Sequence, residues 1–123
     1  MHHRFLQISF SFAERLKIEE LESTMTAIGD DWIRFSALCW ILWTDKPAIH
    51  VFTLLEPKLD KGDNIFIQAL YDGDAPLGRE SYAVFPRWIW DWLNSKKAGY
   101  VSYGPEIEAL KRLPATAFEA KKD

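Results

Sequence analysis

The chain has 123 residues, enough for one domain that buries about two-thirds of its unfolded surface. With 48% hydrophobic and 27% charged residues it is not disordered in bulk, and a net charge of -3 argues against strong nonspecific nucleic-acid binding. The single cysteine, Cys39, excludes an internal disulfide framework and a Cys-rich metal site, and it suits a reducing compartment. Six Trp and eight Phe need a core, an interface or a stacking platform.

No apolar run approaches the ~18–20 residues needed to cross a membrane. The start, Met1-His2-His3-Arg4, lacks the pattern of a signal peptide. The expected location is cytoplasmic, with no membrane partner. In chain order, residues 5–12 alternate: Leu6, Ile8, Phe10 and Phe12 share one face, Phe5, Gln7, Ser9 and Ser11 the other. That is a first strand with one apolar and one mixed face. Residues 14–28 carry Ile18, Leu21, Met25 and Ile28 at helical spacing, with Glu14, Arg15, Lys17, Glu19, Glu20 and Glu22 mostly on the wet side. Gly29 follows, where a left-handed C-cap belongs. Asp30 and Asp31 end that helix and face water, although paired acids could bind a cation.

Residues 30–44 are the most apolar and aromatic stretch and lack Gly and Pro. A polar break at Ser36-Ala37 divides them into two strands. Residues 38–43 are apolar at both parities, so this strand should be an inner one covered on both faces, with Cys39 as a buried, inert thiol. Pro47 opens a second helix with Ala48, Ile49, Phe52, Leu55 and Leu59 as its apolar stripe, and Pro57 ends or kinks it after Leu55. His50 falls on its outer side. A polar turn at 59–64 leads to a fourth strand over 65–70, then a loop rich in Asp, Gly and Pro. Residues 85–93 are helical again, and a short helix over 105–113 precedes a charged end.

The order strand, helix, strand, strand, helix, strand is the ferredoxin-like βαββαβ pattern of an α+β domain. Right-handed crossovers would place two helices on one face of a four-stranded antiparallel sheet, leaving the other face to be covered. The expected organisation is a ferredoxin-like domain over 1–93, including the Trp-rich helix, and a partly helical C-terminal extension over 94–123.

Several strings occur together in order: Ile8-Ser9-Phe10-Ser11, Trp32-Ile33-Arg34-Phe35, Trp40-Ile41-Leu42-Trp43-Thr44, Leu59-Asp60-Lys61-Gly62-Asp63 and Trp88-Ile89-Trp90-Asp91-Trp92-Leu93. They resemble the small bacterial proteins labelled SinR-like (not the sporulation repressor of that name). Those are similar to the ferredoxin-fold CRISPR-associated nuclease subunit of the spacer-integration complex, and more distantly to VapD-type ribonuclease toxins. The resemblance covers roughly residues 4–93 and rests on strand and turn patterns rather than catalytic signatures. It implies a homodimer with two sheets packed face to face, and a divalent-metal-dependent endonuclease acting on RNA or DNA through an Asp at the end of strand one. Matching Ile8-Ser9-Phe10-Ser11 to the family's Ile-Ser-Tyr-Asp puts that carboxylate position on Ser11. A hydroxyl is a poor substitute for a carboxylate on Mg²⁺, so the metal site is absent unless Glu14 or another acid moves in.

Other chemistry is sparse. Asp72-Gly73-Asp74 opens like a calcium loop, but the twelfth position is Ala83, where a bidentate Glu is required. No glycine-rich phosphate loop or Ser/His/Asp arrangement is present, and no second histidine is placed to support His50. An RNA-binding module could stack bases on Trp40 or Trp43 with Phe5, yet residues 37–43 lack the basic-glycine-aromatic signature of that strand. On a helical wheel Trp88, Ile89, Trp90, Trp92 and Leu93 cover about 200°, more than contact with one sheet requires. The leading expectation is therefore a non-catalytic homodimeric interaction domain, with Phe5, Trp40, Trp88, Trp90 and Trp92 as interface candidates. No catalytic, cofactor-binding or metal-binding residue is assigned, no cofactor is expected, and nucleic acid is not favoured as a partner.

Overall fold

Alternation along the first strand sets the layout of the computed structural model, which describes residues 3–72 and 87–96. Strand β1 (Arg4–Ser11) turns Leu6, Ile8 and Phe10 into one apolar cluster and Phe5 into another. Strands β2 (Asp31–Ser36) and β3 (Cys39–Thr44) form the expected hairpin, turning at Ala37 and Leu38. β3 pairs with β1, and β4 (Asn64–Asp72) pairs with the other side of β1. All three pairings are antiparallel, and the sheet order is β2-β3-β1-β4. β3 is an inner strand, as its double-sided apolar pattern predicts. Trp40 and Leu42 enter one cluster, while Ile41 and Trp43 join the other.

Helices α1 (Ile18–Ile28) and α2 (Ala48–Leu55) share the Leu6–Ile8–Trp40–Leu42 side of the sheet. They bury Ile18, Leu21 and Met25 from α1, and Val51 and Leu55 from α2. Helix α3 (Arg87–Ser95) lies on the other side, with Ile89, Trp92 and Leu93 against Phe5, Ile33 and Ile41. The molecule is α+β, with a four-stranded antiparallel sheet between helices. Among the described residues, no helix is long and apolar enough to cross a membrane.

Three local expectations are corrected. Helix α1 begins at Ile18 rather than near residue 14, because side-chain ties from Asp63 hold Ala13 and Lys17 outside it. Gly29 is extended (φ -116°, ψ 165°), not left-handed. Its need for glycine is spatial: a Cβ there would lie 2.3 Å from Leu42 Cδ1 and 3.2 Å from the Met25 carbonyl oxygen. The left-handed glycine is Gly62 (φ 91°), in the polar turn before β4. On α2 the buried stripe runs through Val51 and Leu55, with Ile49 69% exposed. Ile49 and Val51 stand about 200° apart on the helix, and contact with the sheet selects Val51.

Helix α2 ends at Leu55 and tightens into a 3-10 turn over Glu56–Lys58 around Pro57, where the sequence places its end. The expected helix over 105–113, the calcium-like loop beyond Asp72 and the charged end lie outside the described residues.

Candidate functional site

Among the described residues, three clusters of charged side chains reach the interior, and each joins different elements of the fold. At the first, Lys17 is almost fully buried although the helical wheel puts it on the wet side. Its Nζ donates to Asp63 Oδ2 at 2.5 Å and lies 2.6 Å from Asp60 Oδ2. Asp63 also accepts the backbone N–H of Ala13 at 2.8 Å and of Asp60 at 2.9 Å. Burial works against the Lys17 ammonium, but hydrogen bonds and attraction from Asp60 and Asp63 outweigh it and raise its pKa. The hydrogen bond from Lys17, then those from Ala13 and Asp60, lower the Asp63 pKa to about 2. This cluster pins the β1–α1 connection to the turn before β4.

That cluster sits where the strand-one carboxylate was in question. Ser11 is exposed and faces Asn64 across the β1–β4 pairing, and Glu14 is exposed. The acids that approach this end are Asp60 and Asp63, and Lys17 pairs with both. Among the described residues, no group of three or more His, Cys, Asp and Glu side chains is placed to hold a metal ion.

At the second place, Trp40 Nε1 donates to Glu22 Oε2 at 2.7 Å, and Arg34 Nη1 lies 3.5 Å from the same oxygen. The Arg34 guanidinium is 5.8 Å from the Trp40 ring centroid. Burial lowers the Arg34 pKa, opposed by the Glu22 charge. Arg34 shares its strand parity with Trp32, which faces α1, so an arginine at an inward position was the sequence signal for this pair. Glu22, expected on the wet face, is half-buried as its partner.

The third place corrects the reading of Asp31. Instead of facing water, its Oδ2 accepts Trp92 Nε1 at 2.9 Å and Lys96 Nζ at 2.6 Å. Lys96 also stands over the Trp92 ring at 5.1 Å. One carboxylate at the start of β2 therefore holds α3 on the sheet. Asp30 beside it is exposed and contacts His3, whose ring stacks on Trp43 at 5.1 Å.

Three of the five aromatic candidates lie inside this chain. Trp40 is fully buried under α1, while Phe5 and Trp92 are buried against each other, 5.7 Å between ring centroids. The side chains of Trp88 and Trp90 lie outside what is described. Phe5 and Trp43, the rings on which bases could have stacked, are 4.6 Å apart, enclosed by Trp92 on one flank and His3 on the other. His50 is exposed on α2, and Cys39 is half-buried rather than buried, receiving the Ser9 hydroxyl at 3.6 Å.

Among the described residues, none covers the β1–β4 part of the face that α3 occupies. Across it runs the row Cys39–Ser9–Phe66, and beside that the row Ile41–Gln7–Gln68. Phe66 is 61% exposed and Gln68 is exposed, whereas Ile65 and Ile67 point to the α1–α2 side and pack against its core. An exposed aromatic ring beside short polar side chains offers contact area, not bond-making chemistry. No sequence motif marked Phe66; its strand parity did, once the covered face was known.

Comparison with family models finds no match, and comparisons with curated proteins and with solved structures find none.

Proposed function

We propose that this chain is a non-catalytic homodimeric interaction domain. The observation that carries the reading is Phe66, a large ring 61% exposed on the part of the sheet that α3 leaves open. Covering such a ring is worth on the order of 1–2 kcal/mol, and a second copy supplies the cover without any further component. The buried charges support the same reading, since each described cluster ties two elements of the fold together. The sheet order β2-β3-β1-β4, with α1 and α2 on one side, supports a ferredoxin-like description of the domain. The likeness of its strings to SinR-like proteins is a fold-level analogy under that description.

Sedimentation equilibrium from micromolar to submillimolar concentration tests the reading. A reversible species of twice the chain mass is expected, and a monomer throughout would overturn it. RNA and duplex DNA incubated with the protein and Mg²⁺ or Mn²⁺ should stay intact; metal-dependent cleavage would overturn the non-catalytic half.

A further inference from the structure

Two strands form the edges of the sheet among the described residues, and they differ in how they meet solvent. β2 is six residues long, carries Asp31 and Arg34, and shifts register between Arg34 and Ser36. Shortness, charge and irregularity each discourage a further strand from pairing. β4 is nine residues long and, from Asn64 to Tyr71, has no charged residue, proline or glycine. Its pairing with β1 is regular from Asn64 to Ala69, and the one irregularity falls beyond, at Leu70. A strand of this kind presents a row of outward N–H and C=O groups with nothing to repel a partner.

We propose that the outer edge of β4 pairs antiparallel with β4 of a second copy, about a two-fold axis through Ile67. The inference rests on the homodimer reading and assigns its surface. Two observations select a second copy as the occupant. Each chain carries a net charge of -3, so two copies approach most easily along a neutral stretch, and 64–71 is one. The pairing also matches face to face. An axis through Ile67 sets Phe66 against Gln68 of the partner subunit and Ile65 against the partner's Ala69, with Ile67 meeting its own copy. Phe66 and Gln68 lie on the α3 side, and Ile65 and Ile67 on the α1–α2 side. No side chain crosses to the wrong face, and the half-buried Ile65 and Ile67 would extend the α1–α2 core across the two-fold axis.

The test uses the full chain with paired substitutions at two exposed positions. Phe66→Lys with Gln68→Lys puts like charges directly opposite one another twice, and Phe66→Glu with Gln68→Glu does the same with the other sign. Each variant alone should dimerise at least about 100-fold more weakly, and their equimolar mixture should recover a heterodimer near wild-type affinity. Heteronuclear NMR spectra check that both variants remain folded. In the wild type, outward amides of β4 should exchange more slowly as concentration rises, while those of β2 do not change. A wild-type dimer unaffected by the substitutions, or variants that dissociate without recovery on mixing, overturns edge pairing and leaves the homodimer intact. A monomeric wild type removes both.

Discussion

The two faces of this sheet are closed in different ways. On one, α1 and α2 bring Ile18, Leu21, Met25, Val51 and Leu55 against Leu6, Ile8, Trp40 and Leu42, and each helix connects two strands that have a third strand between them. Neither can leave without pulling on the sheet. On the other, the single helix α3 buries Ile89, Trp92 and Leu93 over β2, β3 and the Phe5 end of β1, and one carboxylate, Asp31, receives both Trp92 and Lys96. The first face holds the fold together; the second is a docked helix beside an open strip ending in Phe66. The proposed interaction thus falls on the side opposite the one that carries the larger core.

The largest expected effect lies on the first face. Trp40→Ala removes a fully buried ring and the donor to Glu22, and should cost about 3–5 kcal/mol in urea unfolding with a single transition retained. On the second face, Asp31→Ala strips the acceptor from Trp92 and Lys96 and should cost about 2 kcal/mol locally. Hydrogen exchange should show α3 losing protection while β1 and β3 keep theirs. If protection falls equally throughout, the two faces form one cooperative unit and the division is lost. The smallest effect at neutral pH concerns Asp63. Its pKa of about 2 in the folded chain lies below the ordinary 3.8, so its contribution is present above about pH 4 and disappears as pH falls toward 2. Thermal unfolding followed from pH 5 to about pH 2 should show a decline that is shallower in Asp63→Asn; an identical slope would mean that other carboxylates carry the acid loss.

The parts of the fold legible in sequence are those governed by neighbours a few residues apart. Alternation at Leu6, Ile8 and Phe10, the break at Ser36-Ala37 and the stop at Pro57 are local rules, and the structure follows each. The start of α1 was not legible because Lys17 and Asp63 are 46 residues apart. Nor was the role of Asp31, whose partner Trp92 is 61 residues away. The aromatic residues drew attention as an interface, yet Phe5, Trp40 and Trp92 are consumed by packing within the chain. Phe66, inconspicuous in a short apolar run, is the one left exposed in the strip beside α3.

The sequence by itself determined which of the described segments are strands and helices, and that β3 must be covered on both sides, because periodicity and turn chemistry act over a few residues. Only the tertiary structure decided what the cover is, which charges are buried and which ring stays wet. Those outcomes depend on pairs such as Asp31 with Trp92 and Lys17 with Asp63, whose meeting is a property of the sheet order and not of any local pattern.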